Sequence, residues 1–209
     1  MENLNDFRRN YTKFQLDETS INKNPFLQFH IWLKEAIEDG TFEANAFILS
    51  TVDLDNKPSS RVVLLKQFVE EGFIFYTNYN SKKAKDLDKN NKASILFFWE
   101  KLERQVRIEG VIEKIPKEMS IEYFNSRPKA SQIGAVVSNQ SSEISNRKIL
   151  EENFEKLSNQ KDIEMPKNWG GYILKPNYFE FWQGRANRLH DRIVFQEEKN
   201  KWNIKRLSP

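Results

Sequence analysis

Apolar side chains follow two rhythms along this chain. Phe26, Phe29, Leu33 and Ile37 recur at helical spacing. They follow Asn24, a good N-cap, and Pro25 at the first helical position, and Gly40 ends the pattern. Beyond it the rhythm is that of strands, predicted over residues 46–52, 60–69 and 73–79 with turns at 53–58 and 70–72. A short helix capped by Ser81 is expected over 81–88, then strands over 93–99 and 105–115 around a charged turn at 100–103. Residues 117–161 return to helical character. One segment holds Met119, Ile121, Tyr123 and Phe124, another spans 144–157, and the polar stretch 126–142 between them reads as loop. Strands are predicted again over 170–174, 178–184 and 192–197, and a hairpin at 198–201 leads into 202–207. Residues 1–23 are polar and aperiodic and read as a mobile arm, while 24–209 read as one domain. Sequential strands with short turns and flanking helices predict a mainly β, α+β fold, an antiparallel sheet closed into a barrel. No βαβ rhythm supports a doubly wound sheet.

Composition narrows the function. At 209 residues, with 16 Phe and 5 Trp, the chain is long enough to bury a real core. The net charge is only +3, and cations and anions are interleaved, so no nucleic-acid partner is expected. The absence of cysteine excludes disulfides and thiolate metal sites, and two histidines leave little for a histidine-built one, so no metal is expected. No apolar run reaches the roughly 18–20 residues of a membrane helix. The stretch MENLNDFRRNY lacks the apolar core of a signal peptide. A cytoplasmic protein without a membrane partner is the expectation.

Candidate chemistry is concentrated near the end. Arg188, His190 and Arg192 would share one face of an extended segment, with Trp182 in the same parity. Such a face suits a flat, anionic ligand. Residues 59–66 place Arg61 and Lys66 around an apolar run, either as the charged ends of a buried strand or as anion ligands. Their odd separation puts them on opposite faces of a regular strand. Both reach one ligand only along a strand edge or across a bulge. Tyr76 and Thr77 precede Ser81, Lys82 and Lys83, which form either a phosphate cradle at a helix start or an ordinary capped helix with a solvated basic face. Gln105 and Arg107 share a strand face. Tyr123, Arg127 and Ser131, four residues apart, form a donor set if helix continues through them, against which Pro128 argues. Gln140, Ser141 and Ser142 are either donors or an N-cap box. Arg8, Arg9 and Tyr11 are the arm's candidates for ligand contact. No Ser-His-Asp relay, carboxylate pair or glycine-rich phosphate loop is present. The inventory suits an enzyme whose organic cofactor performs the hard step.

These residues bring a resemblance with them. Asn24-Pro25-Phe26, Arg61 to Lys66, Phe75-Tyr76-Thr77-Asn78, Ser81-Lys82-Lys83-Ala84 and Leu102 to Val106 match the pyridoxamine 5′-phosphate oxidase family. So do Tyr123 to Pro128, Ser131 to Ala135, Ser138 to Ser142, Trp169 to Tyr172, Phe181 to Gly184, Asn187 to Arg192 and Arg206 to Pro209. The resemblance runs from about Arg8 to the C-terminus. It implies a homodimeric split barrel that binds FMN at the subunit interface, with 24–209 as the FMN-binding domain. Carried over by position, Arg61, Val62, Val63, Leu64, Leu65, Lys66, Tyr76, Thr77, Lys82, Lys83, Gln105, Gln140 and Ser141 would contact FMN. Trp182 and Arg192 would join them from the other subunit. Lys66, Tyr123, Arg127 and Ser131 would grip the substrate phosphate. Arg188, Leu189 and His190 would lie over the pyridine ring, Arg188 and His190 as the catalytic pair, and Arg8 and Tyr11 would reach the substrate from the arm. The implied reaction converts pyridoxamine or pyridoxine 5′-phosphate to pyridoxal 5′-phosphate, with O2 as electron acceptor. It yields H2O2, and ammonia from the amine.

The arm departs from the family pattern. Asn10 stands where the family usually has Glu before the tyrosine, and Leu16-Asp17-Glu18-Thr19 matches its charge pattern only loosely. Two other functions fit the same barrel: a non-catalytic pyridoxal phosphate carrier and a different flavin reductase.

Overall fold

The computed structural model describes residues 2–6 and 8–209. Asn24 caps helix α1 (Pro25–Glu38), its side-chain oxygen accepting from the N–H groups of Phe26 at 2.9 Å and Leu27 at 3.3 Å. The helix buries Phe29, Trp32, Leu33 and Ala36. Phe29 is fully enclosed among the rings of Phe68, Phe73, Phe97 and Trp99, and Trp32 meets Phe181 edge-on. Truncating such a ring costs about 3–5 kcal/mol, so this aromatic cluster fixes the helix to the sheet.

The strands are β1 (Ala46–Val52), β2 (Pro58–Leu64), β3 (Gln67–Val69), β4 (Gly72–Asn78), β5 (Lys92–Trp99), β6 (Arg104–Lys114), β7 (Trp169–Gln183), β8 (Asp191–Glu198) and β9 (Lys201–Leu207). They form one nine-stranded sheet in the order β2-β1-β5-β6-β7-β4-β3, with β8 and β9 branching from β7. Every pairing is antiparallel. Beside β6, the first part of β7 pairs with β4 and its last part with β8, which splits the barrel. A bulge at Glu109/Gly110 bends the β6–β7 ladder. Glycine is required there, because a Cβ on Gly110 would lie 2.1 Å from the Lys175 carbonyl.

Four sequence expectations change. Residues 60–69 are not one strand. β2 pairs with β1, β3 pairs with β4, and the exchange falls at Leu65 and Lys66, whose N–H groups donate to Asn45 O at 2.8 Å and Ile74 O at 3.0 Å. One short segment thus supplies both ends of the strand order. Residues 170–174 and 178–184, expected as two strands, belong to the continuous β7, because β6 supplies partners on both sides of the bulge. The stretch 126–142, expected as loop, contains helix α4 (Lys129–Val137), anchored by Ile133 beside Phe124 and Trp169. The helix expected over 144–157 is α5 (Lys148–Ser158), whose N-cap residue Arg147 makes no side-chain cap. Helices α2 (Lys82–Lys89) and α3 (Lys117–Ser126) lie close to their expected places.

Within the arm, Leu16 and Ile21 are buried in the main core cluster. Among the described residues, no helix is long and apolar enough to cross a membrane.

Candidate active site

A cleft of about 880 Å³ opens where the end of β4, the start of α2, helices α3 and α4, and the loop after α4 converge on β2. Among the described residues β2 pairs only with β1, which leaves its other edge free. The cleft lies along that edge and is lined by Ser59, Ser60, Arg61, Val62, Val63 and Leu64 alike, and by Lys66 beyond them. A ligand along an edge meets β2 residues of both parities, and Lys66 lies past the end of β2, so strand parity no longer sets it opposite Arg61.

Asp86 organises the cations at one end. Its carboxylate is 5% exposed and accepts from Thr51 Oγ1 at 2.8 Å, Ser59 Oγ at 3.2 Å and Lys82 Nζ at 3.2 Å, with the Arg61 guanidinium 3.9 Å away. Burial acts to raise its pKa, but the hydrogen bonds from Thr51, Lys82 and Ser59 hold it below the usual carboxylate range. Arg61 also donates to Thr51 Oγ1 at 2.8 Å and Leu49 O at 3.2 Å.

Among the described residues, Lys83 has no such counter-ion. It is buried, and its ammonium donates to Gln140 Oε1 at 2.9 Å, Thr77 Oγ1 at 3.1 Å and Ser81 Oγ at 3.4 Å, all neutral acceptors. Burial, reinforced by the charge of Arg61, pushes its pKa down to about 8. A cation under that strain gains from any anion that enters. Ser81 therefore accepts from Lys83 rather than capping α2. Gln140 and Ser141, expected near a helix start, lie instead in a loop where Ser141 has φ 69°. Asn78 holds that loop through its amide donated to Ser138 O at 3.3 Å, and Thr77 Oγ1 donates to Gln140 Oε1 at 2.9 Å.

The other end is aromatic. Tyr76 stacks on Tyr123 at 3.9 Å and on Trp169 at 5.4 Å. Arg127 lies over the Trp169 ring at 4.9 Å, and its Nη1 is buried without a hydrogen-bond partner among the described residues. Burial lowers its pKa against the opposing influence of Tyr123. Burial together with neighbouring Tyr123 raises Tyr76 to about 12, so its hydroxyl stays protonated. Helix α3 stops at Arg127, extended as residues before proline prefer, and Pro128 opens α4. Arg127 and Ser131 still face the same cleft, on two helices rather than one.

The structure divides the expected site residues. Arg61, Val62, Val63, Leu64, Lys66, Tyr76, Thr77, Lys82, Lys83, Tyr123, Arg127, Ser131, Gln140 and Ser141 line the cleft. Leu65 does not: it is 4% exposed and belongs to the core, because it sits where β2 hands over to β3. Gln105, Trp182 and Arg192 lie elsewhere, directly opposite one another on β6, β7 and β8. There Glu180, 2% exposed, accepts from Arg192 Nε at 2.7 Å and from Arg107 at 2.6 Å. Arg188, His190 and Arg192 do not share an extended face. Asn187 and Arg188 have φ 57° and 60° in a 3-10 turn (Ala186–Arg188), and only Arg192 belongs to a strand. Arg188 and Leu189 are exposed. His190 packs on Trp182 at 4.7 Å, and its Nδ1 accepts the Arg185 N–H at 3.0 Å. Tyr11 covers both rings at 5.8 Å. Arg8 is exposed and donates to Asn5 O.

Asp86, Glu180 and Trp169 are not among the expected site residues, although Trp169 stands in one of the matching motifs. The i,i+4 spacing of Lys82 and Asp86 on a short helix is a signal that points to the first. Glu180 gave none, since its partners arrive from other strands.

Two family models match the chain. One, described as pyridoxamine 5′-phosphate oxidase, covers residues 33–161. The other, the pyridoxine 5′-phosphate oxidase C-terminal dimerisation region, covers 169–209. A pyridoxine/pyridoxamine 5′-phosphate oxidase of Leptospira biflexa is 50% identical over 212 residues, with all of both chains covered. A chloroplastic one of Arabidopsis thaliana is 50% identical over 99% of this chain and 40% of its own length. Among solved structures, PhzG from Burkholderia lata, in complex with tetrahydrophenazine-1-carboxylic acid, superposes with a TM-score of 0.89 at 26% identity, covering 93% of this chain and 98% of its own. A pyridoxamine 5′-phosphate oxidase-related, FMN-binding protein from Nostoc punctiforme shares the fold, with a TM-score of 0.71 at 17% identity, covering 87% and 97%.

Proposed function

The chain belongs to the pyridoxamine 5′-phosphate oxidase family, and on that premise we propose that it oxidises pyridoxine and pyridoxamine 5′-phosphates to pyridoxal 5′-phosphate with O2. The alcohol and O2 give the aldehyde and H2O2; the amine also takes up water and releases ammonia. One observation carries the proposal: Lys83 and Arg127, both in the same cleft, are cations with unmet demand for an anion, one ringed by neutral acceptors and the other with an orphaned buried N–H. Two such centres suit two phosphates.

The donor set fits FMN. Arg61, Lys82, Lys83, Thr77, Gln140 and Ser141 would hold its phosphate and polar chain, and the edge of β2 would run beside it. Bound FMN supplies a two-electron acceptor that O2 can restore. Lys66, Tyr123, Arg127 and Ser131 would hold the substrate phosphate with fork and hydroxyl donors, which fixes the orientation of the reacting carbon. His190 accepts at Nδ1 from a backbone N–H, so its proton sits on Nε2, ready to be donated to a ring substituent. Arg188, unpaired among the described residues and exposed, would balance negative charge over the ring.

The assembly would be a homodimer. Trp182 and Arg192 fall in the stretch that matches the dimerisation region. They stand in register with Gln105 and with Phe98, which is 53% exposed, and Val62 at the cleft edge is 66% exposed. A second copy would cover these apolar residues and bring its own Trp182, Arg192 and His190 turn to this cleft.

Anaerobic titration with pyridoxine 5′-phosphate tests the proposal. A yellow protein whose flavin absorbance bleaches, then returns with air, is expected. A flavin-loaded protein that stays yellow would point to the carrier, and a colourless one that FMN cannot reconstitute would overturn the proposal.

A further inference from the structure

The acidic pair Asp17-Glu18 has a structural role of its own. Both peptide groups of Leu16 are gripped by charged side chains from the far end of the chain. Its N–H donates to Asp191 Oδ2 at 3.0 Å, and its carbonyl accepts from Arg206 Nη2 at 3.1 Å. Arg206 also forks onto Glu18, at 2.8 Å from Nε and 2.7 Å from Nη2, and reaches Asp191 Oδ1 at 2.8 Å. Asp191 takes a further bond from Arg185 Nη1 at 2.8 Å. The same Arg185 gives its backbone N–H to His190. One connected set of ions therefore ties the arm to the turn that carries His190.

Isolated surface pairs contribute little, but a bidentate arginine within a network is the exception. Leu16 is 6% exposed, which shields part of the set. Upstream, Tyr11 rests against Trp182 and His190. It sits on Gly184, where a Cβ would come within 2.7 Å of the Tyr11 ring. Leu16 is five positions after Tyr11, a tether of at most about 17 Å. Holding Leu16 thus confines Tyr11.

We propose that Arg206 and Asp191 are positioning residues, forming with Glu18 a clamp on Leu16 that keeps Tyr11 over the Trp182–His190 pair. The consequence for substrate rests on the oxidase function proposed above; the clamp itself rests on these contacts alone. Ordering a chain segment costs conformational entropy, and the clamp meets that cost before substrate arrives.

Glu18→Gln and Arg206→Gln, singly and together, test it in the FMN-loaded protein. Each single variant should speed tryptic cleavage after Lys13 about tenfold and raise KM for pyridoxine 5′-phosphate about five- to tenfold. FMN affinity and kcat should stay within about twofold. The double variant should be no worse than Arg206→Gln, because the two share one interaction. Glu18→Asp should recover part of the KM. Gly184→Ala, which leaves the ions intact, should raise KM by displacing Tyr11. Unchanged cleavage would overturn the clamp. Faster cleavage at unchanged KM would reduce it to a staple for the chain end and overturn its positioning role. If no variant or parent turns over substrate, the oxidase proposal fails while cleavage still reports on the clamp.

Discussion

The ammonium of Lys83 donates to Gln140 Oε1 at 2.9 Å, joining the first turn of α2 to the loop after α4 without any counter-charge between them. A buried cation and a neutral amide make a cradle that waits for an anion. Lys83→Met should weaken FMN binding roughly 10–100-fold, the worth of one charge-assisted hydrogen bond. Quenching of flavin fluorescence measures it.

The same lysine sets a pH dependence. Its pKa falls from 10.5 to about 8 in the folded, ligand-free protein. Between those values the unfolded chain binds a proton that the folded chain does not, so this group's contribution to stability rises with pH across the window. FMN needs the cation, so its affinity should fall above pH 8, by up to about tenfold per unit. Thermal melts of apoprotein and binding titrations from pH 7 to 10 check both trends, and Lys83→Met should flatten them.

Arg127 presents an orphaned Nη1 in the cleft. Arg127→Leu should raise KM for pyridoxine 5′-phosphate about 10–100-fold and leave FMN affinity unchanged. Removing an unsatisfied buried donor should not lower the melting temperature, although the contact with Trp169 is lost. Comparing pyridoxine with its phosphate gives a control: the variant should lose most of the preference for the phosphorylated form.

His190 should be a neutral Nε2–H tautomer at pH 7. Burial first, and the charge of Arg188 second, lower its pKa below 6.5, against the influence of Asp191. Its contribution to stability is present above 6.5 and is lost as pH falls from there through the folded value. Nitrogen-15 spectra of the imidazole detect the tautomer. His190→Asn, which retains an acceptor near Nδ1, should keep the melting temperature within about 2 °C while kcat falls about 100-fold, within the usual range for proton-donating groups.

Phe98 lies 53% exposed and directly opposite Gln105. Phe98→Glu should split the dimer and release flavin, since Trp182 and Arg192 would no longer reach a neighbouring cleft. Sedimentation velocity and the absorbance of the released chromophore follow both events.

Much of the fold is determined by local pattern. The Asn24-Pro25 entry to α1, the alternation in β1 and the hairpins carry their own signals, because capping, steric restriction and strand periodicity act over a few residues. The chemical content of the site is equally local, since Arg61, Lys82, Lys83, Tyr123 and Arg127 stand in recognisable motifs. What the tertiary structure alone decided is where those motifs meet. The exchange of partners at Leu65 and Lys66 depends on Asn45 and Ile74, which no local pattern connects to them. Helix α4 has weak propensity signals and forms because Ile133 finds Phe124 and Trp169. Arg188 looked like a strand residue until the Arg185 N–H and His190 closed the turn around it. Glu180 acquired its role only when Arg107 and Arg192 arrived from other strands, and Asp86, beside Lys82 on its own helix, gained Arg61 and Thr51 from two others. Short-range sterics and hydrogen bonds are written into neighbouring residues; burial, counter-charge and strand partnership depend on groups far along the chain, so only folding assigns them.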